Sequence, residues 1–235
     1  MTGRVVFVGA GPGAADLITL RGLQRLQQAE VVLHDALIDL PALQALAPQA
    51  DWQPVGKRGF ADDSTPQVQI NRRLVALAAR HRTVVRLKGG DPSIFGRLEE
   101  ELAALAQAGI ACEVVPGVTA ASAAAAHGLR PLTRRGSGRS VTLATAMTRE
   151  GELHAVRHAD SEVFYMAGRQ LASLSERLRG EGWGGGTAVH VVSRAGWPDA
   201  RASDHTVATL AQAQPLHEGR PTVVVVGAGG QPVPT

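Results

Sequence analysis

The chain has 235 residues, 44% of them hydrophobic and 19% charged, which is enough apolar material for one large or two modest packed domains. The net charge is +3 without a dense Lys/Arg run, and aromatics make up 3%, which argues against a base-stacking nucleic-acid surface but suits a small polyanion. No secretory stretch opens the sequence and no run approaches the roughly 18 apolar residues of a membrane span, so a cytoplasmic protein without membrane or nucleic-acid partners is expected.

Residues 5–8, 31–33, 52–55, 83–87 and 113–115 are short apolar runs, most of them rich in valine, with segments of helical spacing between them. Alternation of this kind predicts a parallel sheet covered on both faces. Thr19 can cap a helix over 20–28, and Thr65 one that has Pro66 at its first position and runs to about Arg80. The single cysteine, Cys112, lies in an apolar run and reads as a buried strand residue.

A second half begins near Val118. An alanine-rich helix is predicted over 119–127, strands over 141–145, 163–165, 187–192 and 222–226, loops at 182–186 and 196–199, and a disordered tail over 227–235.

In open α/β sheets, ligands sit outside the carboxyl ends of the strands. Here those ends carry Gly9-Ala-Gly-Pro-Gly13, His34-Asp35, Gly56-Lys-Arg-Gly59, Lys88-Gly-Gly-Asp-Pro92 and Pro116-Gly-Val-Thr119, a set of glycines, prolines and charges suited to a pocket rim. Gly9-x-Gly11-x-x-Ala14, with Asp35 about 21 residues on, also matches the dinucleotide fingerprint of NAD enzymes. Against that reading, Pro12 interrupts the glycine run and the helix cap, Thr19, comes several residues late for a pyrophosphate on the helix N-terminus.

Taken with 17–22 (Leu-Ile-Thr-Leu-Arg-Gly), 85–92 (Val-Arg-Leu-Lys-Gly-Gly-Asp-Pro), Phe95-Gly-Arg97, 114–121 (Val-Val-Pro-Gly-Val-Thr-Ala-Ala), Pro131-Leu-Thr133 and Phe164-Tyr-Met166, these loops resemble the uroporphyrinogen-III C-methyltransferase family in order and spacing, from about Arg4 to Val226. The resemblance implies an α/β fold of two domains, with a mostly parallel N-terminal sheet over 1–117, a mixed C-terminal sheet over 118–235, and the active site in a cleft between them. It implies a homodimer in the stand-alone form, transferring two methyl groups from S-adenosylmethionine to C2 and C7 of uroporphyrinogen III to give precorrin-2 for sirohaem or cobalamin.

By the same match, Pro12, Gly89, Gly90, Asp91, Ile94, Thr119, Ala120, Met166 and Ala195 would surround the cofactor, Asp35 would stand at the family's proposed base, and Lys57 at its proposed acid. No metal is implied. A substrate ringed by carboxylates calls for forked cations, and Arg58, Arg97, Arg130, Arg134 and Arg135 lie in or beside the matched loops. Residue by residue, a turn-forming role for Asp91, core packing for Met166 and a solvated loop position for Lys57 stay open.

Ser93 stands where the family usually has Phe, Leu98-Glu99 where it has Gly-Gly, Ala144-Thr-Ala-Met147 where it has Thr-Gly-His, Ala167-Gly168 where Gly follows Met directly, and Arg194-Ala195 where Asn-Gly is common. Such changes leave room for C-methylation of another precorrin, or for a non-catalytic tetrapyrrole- or cofactor-binding protein.

Overall fold

A computed structural model describes residues 3–55, 66–146 and 159–233. The chain divides into two compact units, Met1–Thr119 and Ala120–Thr235.

In the first unit, β1 (Arg4–Gly9), α1 (Leu20–Gln27), β2 (Val31–His34), α2 (Leu40–Leu46), β3 (Asp51–Pro54), α3 (Gln67–Ala78), β4 (Thr83–Lys88), α4 (Leu98–Gln107) and β5 (Ala111–Val115) alternate. The described strands form one parallel sheet in the order β3-β2-β4-β1-β5. Val6, Val8, Val32, Val85 and Leu87 pack with Leu26 and Leu43 of α1 and α2 on one face, while Val5, Phe7, Leu33 and Val84 pack with Ile70, Leu74 and Leu105 of α3 and α4 on the other. Burial on both faces explains why these strands read as valine runs. The crossovers from β1 and β4, adjacent strands, leave in opposite directions toward opposite faces, so the sheet has its topological switch between them.

Thr19 caps α1 as expected, its hydroxyl accepting from the Gly22 amide at 3.1 Å. Thr65 lies outside the described residues, and Pro66 occupies the N-cap of α3, which ends at Ala78. Cys112 is exposed rather than buried, because β5 closes an edge of the sheet.

In the second unit, α5 (Ala120–His127), β6 (Val141–Thr145), β7 (Ser161–Tyr165), α6 (Leu171–Gly180), β8 (Ala188–Ser193), β9 (Arg201–Thr206), α7 (Gln214–His217) and β10 (Thr222–Gly227) follow. Their sheet is mixed, in the order β6-β7-β10-β8-β9: β6 and β7 are parallel, whereas β10 runs antiparallel to both neighbours and β9 to β8. Consequently β6, β7 and β8 all end at one edge. Phe164, Leu171, Leu174, Leu178, Trp183, Val189, Val191, Leu210 and Val224 form the core on the α6 face.

Within the segment read as a disordered tail, residues 227–230 are instead packed, while 231–233 are exposed. Ala228–Gly230 forms a buried 3-10 turn, with the Gly229 amide on the Ser161 hydroxyl at 2.8 Å. A Cβ on Gly230 would come 2.6 Å from the Ala188 carbonyl oxygen, so the sequence that hydropathy leaves silent is tied down by backbone fit.

Candidate functional site

In the first unit, Pro12, Asp35, the 89–94 loop and Thr119 all follow the carboxyl ends of parallel strands and share one sheet edge. The loops after β1 and β4, which flank the switch, are joined by an isolated antiparallel bridge: Gly90 donates to the Gly11 carbonyl at 2.7 Å and Gly11 to that of Gly90 at 3.3 Å. Gly117, after β5, completes the contact. A Cβ there would lie 2.3 Å from the Gly90 carbonyl oxygen and 2.8 Å from the Gly9 Cα. Gly90 differs in kind. Its φ is +71°, and a Cβ on it would meet nothing within 4 Å, so the backbone turn presents open space at the rim.

Asp91 binds this arrangement together. One carboxylate oxygen accepts from the Ser93 amide at 2.7 Å and the other from the Gly117 amide at 2.9 Å. It thus closes its own turn and clamps the loops after β4 and β5, while Ile94 sits half-buried beside it, its amide on the Asp91 carbonyl.

Where the sequence has Leu98-Glu99 in place of glycines, α4 begins at once. The left-handed backbone before it falls on Phe95 (φ 52°) and Arg97 (φ 53°), each costing about 1–2 kcal/mol relative to an ordinary conformation. The Arg97 guanidinium is held by Glu100 through two bonds of 2.7 and 2.8 Å.

Asp35 is one-third exposed, and its Oδ1 accepts from Arg86 Nη2 at 2.6 Å. Arg86 lies on β4 and is almost wholly buried. Its Nε donates to Glu101 Oε1 at 3.0 Å and its Nη1 to the Leu87 carbonyl at 3.1 Å. Glu101, fully buried on α4, takes Lys88 Nζ on its other oxygen at 2.9 Å. Burial works against the Arg86 charge, but Asp35 and Glu101 outweigh it and raise its pKa. At Lys88, burial and then the neighbouring Arg86 prevail, and the pKa falls. Arg86, Lys88 and Glu101 escaped the sequence reading. Their signal was two cations, Val-Val-Arg86-Leu-Lys88, in a strand that is otherwise apolar and buried, since charges in such a place demand partners.

Lys57 and Arg58 lie outside the described residues.

In the second unit, Met166 follows β7 and Ala195 follows β8, which places both at the edge where the parallel strands end. Both loops adjoin the segment entering β10: Gly168 packs against the Arg220 carbonyl, and the Arg194 amide donates to Pro221 at 2.8 Å. Met166 is not core filler. It is 36% exposed with φ 57°, a left-handed conformation that an unbranched side chain tolerates at a cost. Arg194, at φ 53°, is pinned by Asp199 at 2.8 Å and lies over the Trp197 ring, 4.3 Å from its centroid; Arg220 holds Asp199 in turn at 3.2 Å. Ala195 is buried behind this clamp, and Ala120 opens α5, half-buried.

Of the arginines expected to meet substrate carboxylates, two are misplaced. Arg130 and Arg134 belong to the connection that enters β6, at the edge of the second sheet opposite Met166 and Ala195. Arg130 is buried between the Gly230 carbonyl and Asp204, 2.6 Å away, and Arg134 donates to the carbonyls of Gln231 and Pro232. Both fasten the C-terminal segment. Arg135 beside them is exposed.

The fold also argues against a dinucleotide site: after the glycine run come a 3-10 turn at Ala15–Leu17 and then α1, so no long helix starts in the loop. Among the described residues no group of His, Cys, Asp and Glu is arranged to hold a metal, and no helix is long and apolar enough to cross a membrane.

The sequence model for tetrapyrrole (corrin/porphyrin) methylases matches residues 4–212. Siroheme synthase 1 of Klebsiella pneumoniae subsp. pneumoniae is 42% identical over 234 residues, covering 96% of this chain and 49% of that protein. The chain therefore spans about half the length of the curated relatives it matches. Among solved structures, a uroporphyrin-III-C-methyltransferase from Thermus thermophilus is 41% identical with a TM-score of 0.82, covering 97% of this chain and 93% of that one. A uroporphyrin-III C-methyl transferase from the same organism, complexed with S-adenyl homocysteine, is 34% identical with a TM-score of 0.82, covering 96% and 97%. With a family match across nearly its whole length, this chain belongs to the tetrapyrrole (corrin/porphyrin) methylases.

Proposed function

We propose that the protein transfers two methyl groups from S-adenosylmethionine to C2 and C7 of uroporphyrinogen III, giving precorrin-2, as a cytoplasmic homodimer. The observation that carries this reading is Asp35, a carboxylate anchored through one oxygen to a buried guanidinium yet open to solvent, on the same strand-end edge as the glycine bridge at the topological switch. The relatives named siroheme synthase and uroporphyrin-III C-methyltransferase support the substrate, and the complex with S-adenyl homocysteine supports the cofactor.

The residues present fit that cofactor. Gly90 leaves backbone polar groups bordering empty space, and Met166 holds a polarizable side chain out from a strained backbone, suited to packing on a flat apolar surface. By the match to the family, Pro12, Gly89, Gly90, Asp91, Ile94, Thr119, Ala120, Met166 and Ala195 are the residues that would hold it; when bound it supplies an already activated methyl group. The protein's task is then to hold donor and acceptor in line at near-attack distance. Methylation of a pyrrole carbon leaves positive charge on the ring and a proton to be lost. Asp35 stabilises that charge and accepts the proton at its carboxylate, while Arg86 fixes the carboxylate's direction. Lys57 serves as the acid, and Arg58 and Arg97 remain the cations for the substrate's carboxylates.

The strained Phe95-Gly-Arg97 turn favours one variation on this theme, a different precorrin as acceptor, since it alters the loop beside Asp91. Anaerobic incubation with uroporphyrinogen III and methyl-labelled cofactor, with labels per macrocycle counted by mass spectrometry, distinguishes the two. Two labels, lost in Asp35→Ala, support the proposed reaction; no label despite cofactor binding overturns it.

A further inference from the structure

We infer that Glu101 is a positioning residue, which sets Asp35 and the Gly89-Gly90 turn from behind by splitting its carboxylate between Arg86 and Lys88. The inference rests on the reading of Asp35 as the proton acceptor.

Four features carry it. Glu101 is fully buried, and a lone carboxylate in that position would be severely penalised, so its placement is fixed by its partners. Those partners are both on β4 and two residues apart, hence on the same face, and Glu101 reaches them from α4 with one oxygen each, at 3.0 and 2.9 Å. Gln67 of α3 adds a third donor to Oε1 at 3.3 Å and itself bonds Asn71 at 2.9 Å, so the carboxylate has little freedom to rotate. Finally, the two cations lead to different halves of the chemistry. Arg86 ends on Asp35, whereas Lys88 is followed directly by Gly89, and its carbonyl accepts from the Ala10 amide at 2.8 Å, on the loop that carries Pro12.

A buried ion cluster seldom stabilises a fold more than well-packed apolar residues of the same volume would. What it does supply is direction: Arg86, a rigid planar fork, can present Nη2 to Asp35 in one orientation only while Nε is held by Glu101. Without that hold Arg86 can turn, and Asp35 loses its fixed angle to the ring carbon. A misplacement on the scale of an ångström is enough to cost roughly 100-fold in rate.

The test compares Glu101→Gln, the pair Glu101→Gln with Lys88→Met, and Asp35→Asn in the methyl-labelling assay. It measures kcat per folded molecule, KM for the tetrapyrrole, and calorimetric affinity for S-adenosylhomocysteine. Glu101→Gln keeps the shape and removes the charge, and the expectation is a kcat lower by roughly 10- to 100-fold with KM little changed. A residue of purely structural importance would lower the amount of active protein and leave kcat per folded molecule where it was. The double variant keeps the cluster neutral, so it answers for folding: a lowered kcat there supports the inference, and a wild-type kcat overturns it. Unchanged kcat in folded Glu101→Gln also overturns it, provided Asp35→Asn is inactive. An active Asp35→Asn instead removes the proton-acceptor reading on which the inference stands.

Discussion

Alanine at Gly90 and alanine at Gly117 should have opposite consequences, although the two glycines touch. At Gly117 the new Cβ would stand 2.3 Å from the Gly90 carbonyl oxygen and 2.8 Å from the Gly9 Cα, all backbone, so the ends of three strands would have to separate by about an ångström. Overpacking of this kind costs about 1–3 kcal/mol. The same movement stretches the Gly90–Gly11 bridge and the Asp91–Gly117 bond, at about 1 kcal/mol each, for a total of about 3–5 kcal/mol. At Gly90 nothing lies in the way of a Cβ, and the cost is the left-handed φ alone, about 1–2 kcal/mol. Urea unfolding measures the first quantity, and titration calorimetry with S-adenosylhomocysteine measures what the open space is for. Gly117→Ala should be clearly the less stable protein, and Gly90→Ala should fold but bind the cofactor product at least about tenfold more weakly, since a methyl group would stand in its place. Equal stabilities would refute the packing argument. Unimpaired binding by Gly90→Ala would refute the placement of the cofactor against that turn.

Arg86→Met should be strongly destabilising, by about 3–5 kcal/mol in the same unfolding assay, because it leaves Glu101 buried with Lys88 as its one cation and Asp35 without its Arg86 anchor; a loss under 1 kcal/mol would contradict the burial of the cluster. Stability should also fall in mild acid. His217 is fully buried between Ser193 and Ser203, and burial first, then the charges of His205 and Arg220, depress its pKa to about 4. The stabilising contribution of the neutral ring is therefore complete above its unfolded value near 6.5 and is lost as pH falls from there toward 4, at most about 3 kcal/mol. His217→Gln should flatten unfolding free energy between pH 6.5 and 4.5, and a wild-type curve already flat in that window would contradict the assignment. Finally, Asp199→Asn weakens the hold on Arg194 and frees the loop behind which Ala195 lies; cofactor affinity should drop a few-fold with stability nearly unchanged, as calorimetry and unfolding together would show.

The strands of the first unit were legible because a parallel strand buried on both faces is rich in apolar, mostly β-branched residues, as Val5-Val-Phe-Val8 and Thr83-Val-Val85 are. The edge strand β9, Arg-Ala-Ser-Asp-His-Thr, offers no such pattern and was missed; its neighbour on one side is solvent, and pairing with β8 is what makes it a strand. Edge position also misled the reading of Cys112, whose run of apolar neighbours lies on a strand with one open side. The strand-end loops were located from their glycines, yet hydropathy could not tell Gly90, which needs an open rim, from Gly117, which needs close backbone contact. Glu101 lies just beyond the Leu98-Glu99 departure and did not stand out by itself. Its role depends on two cations more than ten positions earlier, and no local pattern conveys a partner at that separation. For Arg130 and Arg134, neighbouring motifs suggested the substrate side, but the helix α5 carries the chain across the sheet before they occur.

The place of β10 between β7 and β8 bears on how the protein is made. The second sheet receives its central member from residues 222–227, so while a ribosome is still translating the preceding segment, β7 and β8 have no partner between them and two buried-strand edges stand open. A nonsense codon between Ser193 and Thr222 would leave that gap permanent. Such fragments are expected to be recovered as inclusion bodies or as cargo of chaperones, however complete their upstream motifs.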